Sequence, residues 1–299
     1  MYLGAQPIIK ALKDGTDIIV IGRVCDTSLF LAPMMFEFGW KKDDWERIGK
    51  GIAIAHLLEC AGQVTGGYFA DPGYKDMDGL AELGFPIAEV YNNGEGIITK
   101  LSDTGGELSL RTCKEQLLYE VHDPSSYITA DGIADFTKIR FEQREKDIVK
   151  IMGGGGYPCP RDLKVSIGFR NAFIGEAQIS YSGDGARERA ELAIHILKKR
   201  FKRLNLKFEE LRFDLIGVDS LWPRSSTFHI PKEIRLRVAG RAKNYNDAEK
   251  ICNEVEALYT NGPAGGGGVS RSVDESIAII SSFIPREEVN PIVEIMGGG

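Results

Sequence analysis

A mixed architecture, α/β at the amino end and α+β beyond it, is predicted by three features of the chain. The first is the aliphatic run DIIVIGR at 17–23, directly after a helical pattern, which reads as a buried strand of a partial parallel α/β unit. The second is NNGE at 92–95 between two alternating apolar stretches, a hairpin signature. The third is the order strand, helix, strand, strand, helix, strand over 173–283, that of an antiparallel ferredoxin-like split βαβ domain.

Taken in order, 5–13 has helical spacing that Gly15 ends, and the strand at 17–23 follows. A parallel strand needs neighbours, so an upstream strand is expected from elsewhere, either another chain or a missing segment. Helices are predicted at 28–38 and 44–63, opened by Thr27 or Ser28 and by Asp43 or Asp44. Strands at 86–91 and 96–101 flank the Asn-Gly turn, whose residues supply positive φ angles. TCKE at 112–115 has the capping-box form and opens a helix at 113–121. Half-buried strands are expected in 137–151, 163–169 and 173–181, then helix 184–204, strands 209–217 and 233–240, helix 245–259 and strand 276–283. A boundary near 136 divides an α/β domain with an inserted hairpin, 1–136, from a ferredoxin-like domain, 137–299. IMGGGG at 151–156 is echoed by IMGGG at 295–299, read as a loose terminus.

The 299 residues are 43% hydrophobic and 27% charged, which fits a globular protein with a sizeable core and excludes disorder. A net charge of −6 repels phosphate backbones, so no nucleic-acid partner is expected. Five scattered cysteines without a CxxC pair suit neither a disulfide framework nor a zinc ribbon, and the expected location is the cytoplasm. The apolar run 29–40 is too short to span a bilayer, so no membrane association is expected.

The richest chemistry lies at 56–73, HLLECAGQVTGGYFADPG. On a helix, His56, Glu59 and Cys60 share one face, ending at the Thr65, Gly66, Gly67 turn. Two readings stand: a general acid and base pair, or a His56–Glu59 pair that serves structure while Cys60 fills the core. Arg23 and Asp26 follow the first strand, where open α/β sheets bind ligands; Arg23 is a candidate for holding a carboxylate, and Asp26 either orients it or caps the next helix. Glycine clusters at 104–106, 153–156 and 262–268 match no nucleotide fingerprint, yet backbone N–H runs at Gly105, Gly106, Gly265 and Gly266 can form anion nests beside cations such as Arg170, or be plain connectors. Glu176, after Gly175 in a strand, is a further acid if it points inward. With four histidines and no zincin spacing, no metal site and no cofactor are expected.

The stretch at 56–73, together with GRV at 22–24, SLFLAP at 28–33, FADPGY at 69–74, EQLLYEVHDP at 115–124 and GE at 175–176, resembles the acyclic terpene utilisation family (AtuA). The resemblance covers nearly the whole chain and implies a protein whose relatives accompany acyl-CoA carboxylation and branched-acid breakdown. Against longer members the chain is short of an N-terminal α/β segment and of a small C-terminal domain, which implies a homo-oligomer or a companion small subunit. The expected activity is proton transfer on a small carboxylic acid or acyl-CoA by a hydratase or related lyase. Arginines fix the carboxylate, Glu59 or His56 takes a proton beside the carbonyl, glycine N–H groups stabilise the enolate, and Asp26 or Glu176 handles the leaving hydroxyl. The alternative is a non-catalytic accessory or scaffolding subunit of an acyl-CoA carboxylase system.

Overall fold

The computed structural model of the chain describes residues 1–221 and 231–296, so the terminal glycines 297–299 of the repeated motif lie outside it. The described residues form a mixed α/β protein with six α-helices and antiparallel sheets. None of these helices is long and apolar enough to cross a membrane. Two compact units divide the chain: Met1–Ser166 with the segment from Ser281, and Ile167–Ile280.

The first unit holds helices α1 (Gln6–Lys13), α2 (Ser28–Phe38), α3 (Trp45–Leu58) and α4 (Leu110–Leu118). Strands β1 (Ile87–Val90), β2 (Gly96–Thr99), β5 (Arg140–Glu145) and β6 (Ile148–Met152) make one sheet in the order β1-β2-β6-β5. A small second sheet joins β3 (Tyr127–Ile128), β4 (Ile133–Asp135) and β7 (Gly155–Tyr157). The hairpin forms as its turn chemistry demands, Ile87 opposite Thr99 and Gly94 in the left-handed region. Strands β5 and β6 pair onto that hairpin and belong with it in the first compact unit.

Helix α3 runs through the middle of this core. The Asp44 side chain caps its start by accepting from the Arg47 N–H, and Gly49 and every residue from Gly51 to Leu58 are buried. A helix apolar on nearly all sides must be covered on nearly all sides. The α2 residues Leu31 and Met35 share its core cluster with Ile98 and Phe136, and β7 lies alongside. That approach rests on absent side chains: a Cβ on Gly49 would collide with the Gly155 carbonyl, and one on Gly156 would meet the Trp45 carbonyl oxygen at 2.7 Å.

Two expectations fail here. Residues 17–23 form no strand; the nearest pairing is the single parallel bridge of Leu3 with Val24. Ile19 and Ile21 lean on the core, while Ile18 and Val20, at 84% and 93% exposure, face outward with no strand or helix over them among the described residues. A run of β-branched residues becomes a strand only when a neighbour pairs with its backbone. The α4 capping box also sits earlier, between Ser109 and Thr112 instead of Thr112 and Glu115, because the Ser109 hydroxyl takes the Thr112 N–H.

The second unit carries long strands β8 (Asp162–Ser182) and β11 (Gly267–Pro285), with β9 (Glu210–Ile216) and β10 (Glu233–Ala242), in the sheet order β11-β8-β10-β9. The two strands expected at 163–169 and 173–181 are one continuous β8. Helices α5 (Ala186–Arg203) and α6 (Tyr245–Asn261) bury Ala190, Leu197, Ile251 and Val255 in one cluster with Ile179, Leu236 and Val238. Alternation along β10 sends Ile234, Leu236 and Val238 into that core and leaves Arg235 and Arg237 on the other face.

Candidate active site

The end of α3 places the chemistry. His56 is 1% exposed and its Nδ1 lies 2.7 Å from Oε1 of Glu59, which is 12% exposed. An ionised carboxylate can only accept, so Nδ1 carries the proton and donates, leaving the Nε2 lone pair on the far side of the ring. Nε2 is buried and finds no protein partner among the described residues. The imidazole packs in an aromatic box, 5.0 Å from the Tyr127 ring and 5.6 Å from the Phe136 ring, which stack on each other at 4.9 Å. Gln116 on α4 fastens the same turn by donating from Nε2 to the His56 carbonyl at 3.2 Å. Glu59, as the helix C-cap, is the member of the pair that reaches the surface.

Around this pair stand two thiols and three further carboxylates. Burial pushes both Cys25 and Cys60 up from the ordinary thiol value, and neighbouring acids add to it: Asp131, Asp26 and Glu59 for Cys25, and Glu59, Glu120 and Asp26 for Cys60. Both thiols are therefore protonated at neutral pH and neither is an activated nucleophile. Burial likewise pushes the Tyr127 phenol up, with Glu59, Cys25, Asp26 and Glu120 contributing. The charges of Asp26, Glu59 and Glu120 thus meet over one neighbourhood. Asp26 does not cap α2, whose cap residue Thr27 makes no side-chain cap bond; it pairs with Arg23 at 3.4 Å, both well exposed. Asp26 and Glu59 thus act on the same two thiols and phenol, while Arg23 is placed by its pair with Asp26.

The glycine turns serve packing instead. Thr65 is fully buried, and its hydroxyl donates to the Gly84 carbonyl. The N–H groups of Gly66, Gly67, Gly105 and Gly106 are all spent on backbone carbonyls, those of Gln63, Gly62, Glu82 and Asp78. A Cβ on Gly105 would strike the Gly79 carbonyl, and one on Gly106 the Thr65 carbonyl. These residues let two loops touch, and their donors are unavailable to an enolate.

Glu176, Arg170, Gly265 and Gly266 belong to the second unit. Glu176 lies between Arg237 and Gln178, with Asp214 on the same guanidinium at 2.7 Å. Its carboxyl is held below the usual range, chiefly by the Arg237 hydrogen bond, so it stays ionised and makes a poor acid. Arg170 is 82% exposed beside Glu275 at 3.4 Å. Gly265 turns the chain at φ 73° with open space where a Cβ would stand, whereas a Cβ on Gly266 would sit 3.0 Å from Ile179 Cδ1, so the first is a turn position and the second a packing position.

Three contributors escape sequence reasoning. Tyr127, Phe136 and Gln116 come from segments remote in the chain, and only folding brings them to His56. Asp131 is a fourth, structural one: it accepts from the Ala5 N–H at 2.7 Å and from the Ser28 hydroxyl, tying α1 to α2, and burial pushes its carboxyl up.

Fold and site together define a mixed α/β protein with a buried histidine–carboxylate pair at the end of its central helix. The chain belongs to the acyclic terpene utilisation family: the family model described as acyclic terpene utilisation family protein AtuA matches residues 1–295. No curated protein and no solved structure matches the chain.

Proposed function

We propose that the protein is an enzyme of acyclic terpene utilisation that moves a proton beside a carbonyl, a hydratase or related lyase acting on a small carboxylic acid or its thioester. The contact between His56 and Glu59 carries this reading, because a carboxylate held by an imidazole in an apolar box, with one edge open, is a tunable base. Glu59 takes the proton from the carbon next to the carbonyl, and His56 positions it through Nδ1. The carbon–oxygen bond on the adjacent carbon breaks, and the hydroxyl leaves as water with a proton relayed from solvent by the exposed Asp26. Arg23, paired with Asp26, faces the substrate carboxylate. With the glycine donors spent, stabilisation of the enolate falls to cations instead. The test is Glu59→Gln: a drop in turnover of about 10²-fold or more supports the role, and a folded variant with full turnover removes it.

A second reading, an accessory subunit of an acyl-CoA carboxylase system, draws support from the uncovered Ile18 and Val20 edge, where a companion chain or second copy would attach. Fixed-stoichiometry copurification with a carboxylase, with no catalysis by the isolated chain, is its expected result. For the second unit we infer the ferredoxin-like split βαβ arrangement from the strand order β11-β8-β10-β9.

A further inference from the structure

Beside the pair lies a cleft of about 660 Å³ that the scheme above leaves unused. One wall is a single face of α4, since Arg111, Lys114, Glu115 and Leu118 recur at i, i+3, i+4 and i+7. The other is the loop carrying Phe69 and Lys75. Lys75 Nζ lies 4.7 Å and the Arg111 guanidinium 5.5 Å from the centre of the Phe69 ring, so two cations gather on one aromatic. Lys75 also meets Glu115, and Lys114 is exposed with no ion pair among the described residues. Arg111 pairs in turn with Glu107 at 3.6 Å, so Lys114 is the lining cation left without a carboxylate among the described residues, and Glu120 lines the cleft in the neighbourhood of Cys60 and Glu59. Apolar surface accompanies the cations, for Leu118 is 57% exposed and Tyr68, 83% exposed, packs edge-on against Tyr119 at 5.8 Å.

Backbone geometry singles out the same place. Of the five non-glycine residues with positive φ among those described, Ala61, Tyr68 and Glu120 flank this cleft and the dyad. Such conformations are strained for residues with a side chain and persist where the surroundings enforce them, commonly at ligand sites.

We infer that this cleft binds an amphiphilic carboxylate, with the head group on Lys75, Arg111 and Lys114 and the hydrocarbon tail along Leu118, Tyr119 and Tyr68. A cationic site alone would take any anion and an apolar slot alone any hydrocarbon; the combination selects molecules bearing both. The inference goes beyond the proton-transfer reading and does not depend on it: this ligand is distinct from the substrate placed on Arg23, and its binding is measured without turnover.

Calorimetry on the full chain with octanoate, octanol, acetate and inorganic phosphate separates the contributions. Octanoate is expected to bind at least about tenfold more tightly than the other three, a difference of about 1.4 kcal/mol. The double variant Arg111→Gln, Lys114→Gln, both at exposed positions, should weaken octanoate by about tenfold while circular dichroism stays unchanged. Leu118→Glu should do the same by repelling the tail. Octanol or phosphate binding as tightly as octanoate overturns the inference, as does full affinity in both folded variants. Glu59→Gln is expected to keep octanoate affinity, so lost binding in the cleft variants and lost turnover in Glu59→Gln report separately on the two ideas.

Discussion

Nδ1 of His56 and Oε1 of Glu59 face each other across 2.7 Å, one helical turn apart, inside a box made by Tyr127 and Phe136. The imidazole therefore has two duties, filling space and orienting a carboxylate, and substitution can separate them. His56→Ala opens a cavity and should cost about 2–4 kcal/mol of stability. His56→Phe refills the box and should recover part of that loss, with turnover still depressed. Urea unfolding paired with kinetics checks both, and equal turnover in His56→Phe and the parent would deny the orienting duty.

Cys25 and Cys60 are raised by burial and by surrounding carboxylates, so each stays a thiol through neutral pH. Iodoacetamide at pH 7 should label them more slowly than a free cysteine, with the rate climbing only above the ordinary thiol range near pH 8.5. Peptide mapping by mass spectrometry reads the sites, and rapid labelling of Cys60 at pH 7 would contradict the assignment.

Glu176 is depressed by its hydrogen bonds to Arg237 and Gln178. A group whose folded value lies below the unfolded one stabilises above the unfolded value, near pH 4.5, and loses that contribution as pH falls through the folded value. Glu176→Gln should thus cost about 1–2 kcal/mol at pH 7, shrinking once the parent's carboxyl is protonated. Denaturant titrations at pH 7 and pH 3 measure the difference, and an equal cost at both would exclude an ionic origin.

Two glycines make a matched pair for testing the loop contact. Gly105→Ala drives a Cβ into the Gly79 carbonyl, whereas nothing lies within 4 Å of a Cβ on Gly155. The first should destabilise by about 2–4 kcal/mol and the second by well under 1. Thermal melts decide, and similar melting of the two variants would show that the loops separate at little cost.

Val20→Lys should leave stability within about 0.5 kcal/mol, because the side chain contacts almost nothing, and should lower self-association at high concentration. Light scattering against concentration is the readout, and unchanged association would place stickiness elsewhere.

Local patterns carried much of this molecule. The spacing of His56 and Glu59 announced a shared face, the Asn-Gly pair announced the hairpin, and alternation announced the strands of the second unit in order. What lay beyond them was set by distant partners. Nothing in 17–23 tells whether another backbone lies alongside, so its aliphatic run reads as a strand and folds as an exposed extended segment. Periodicity does not say that β5 and β6 pair with the hairpin. The glycine clusters have the composition of anion nests, but whether their N–H groups are free depends on carbonyls such as those of Asp78 and Glu82. The aromatic box at His56 left no local trace, because Tyr127 and Phe136 arrive from another sheet and loop.

The contact of Gly49 with Gly155 confines how the molecule can diversify. A helix seated against a strand with no side chain between them has no slack to shift, so the His56–Glu59 pair it carries keeps its address whatever happens elsewhere. Variation is tolerated instead on the outer face of α4, where Arg111, Lys114 and Leu118 stand at the surface and can be exchanged one at a time without disturbing that seat.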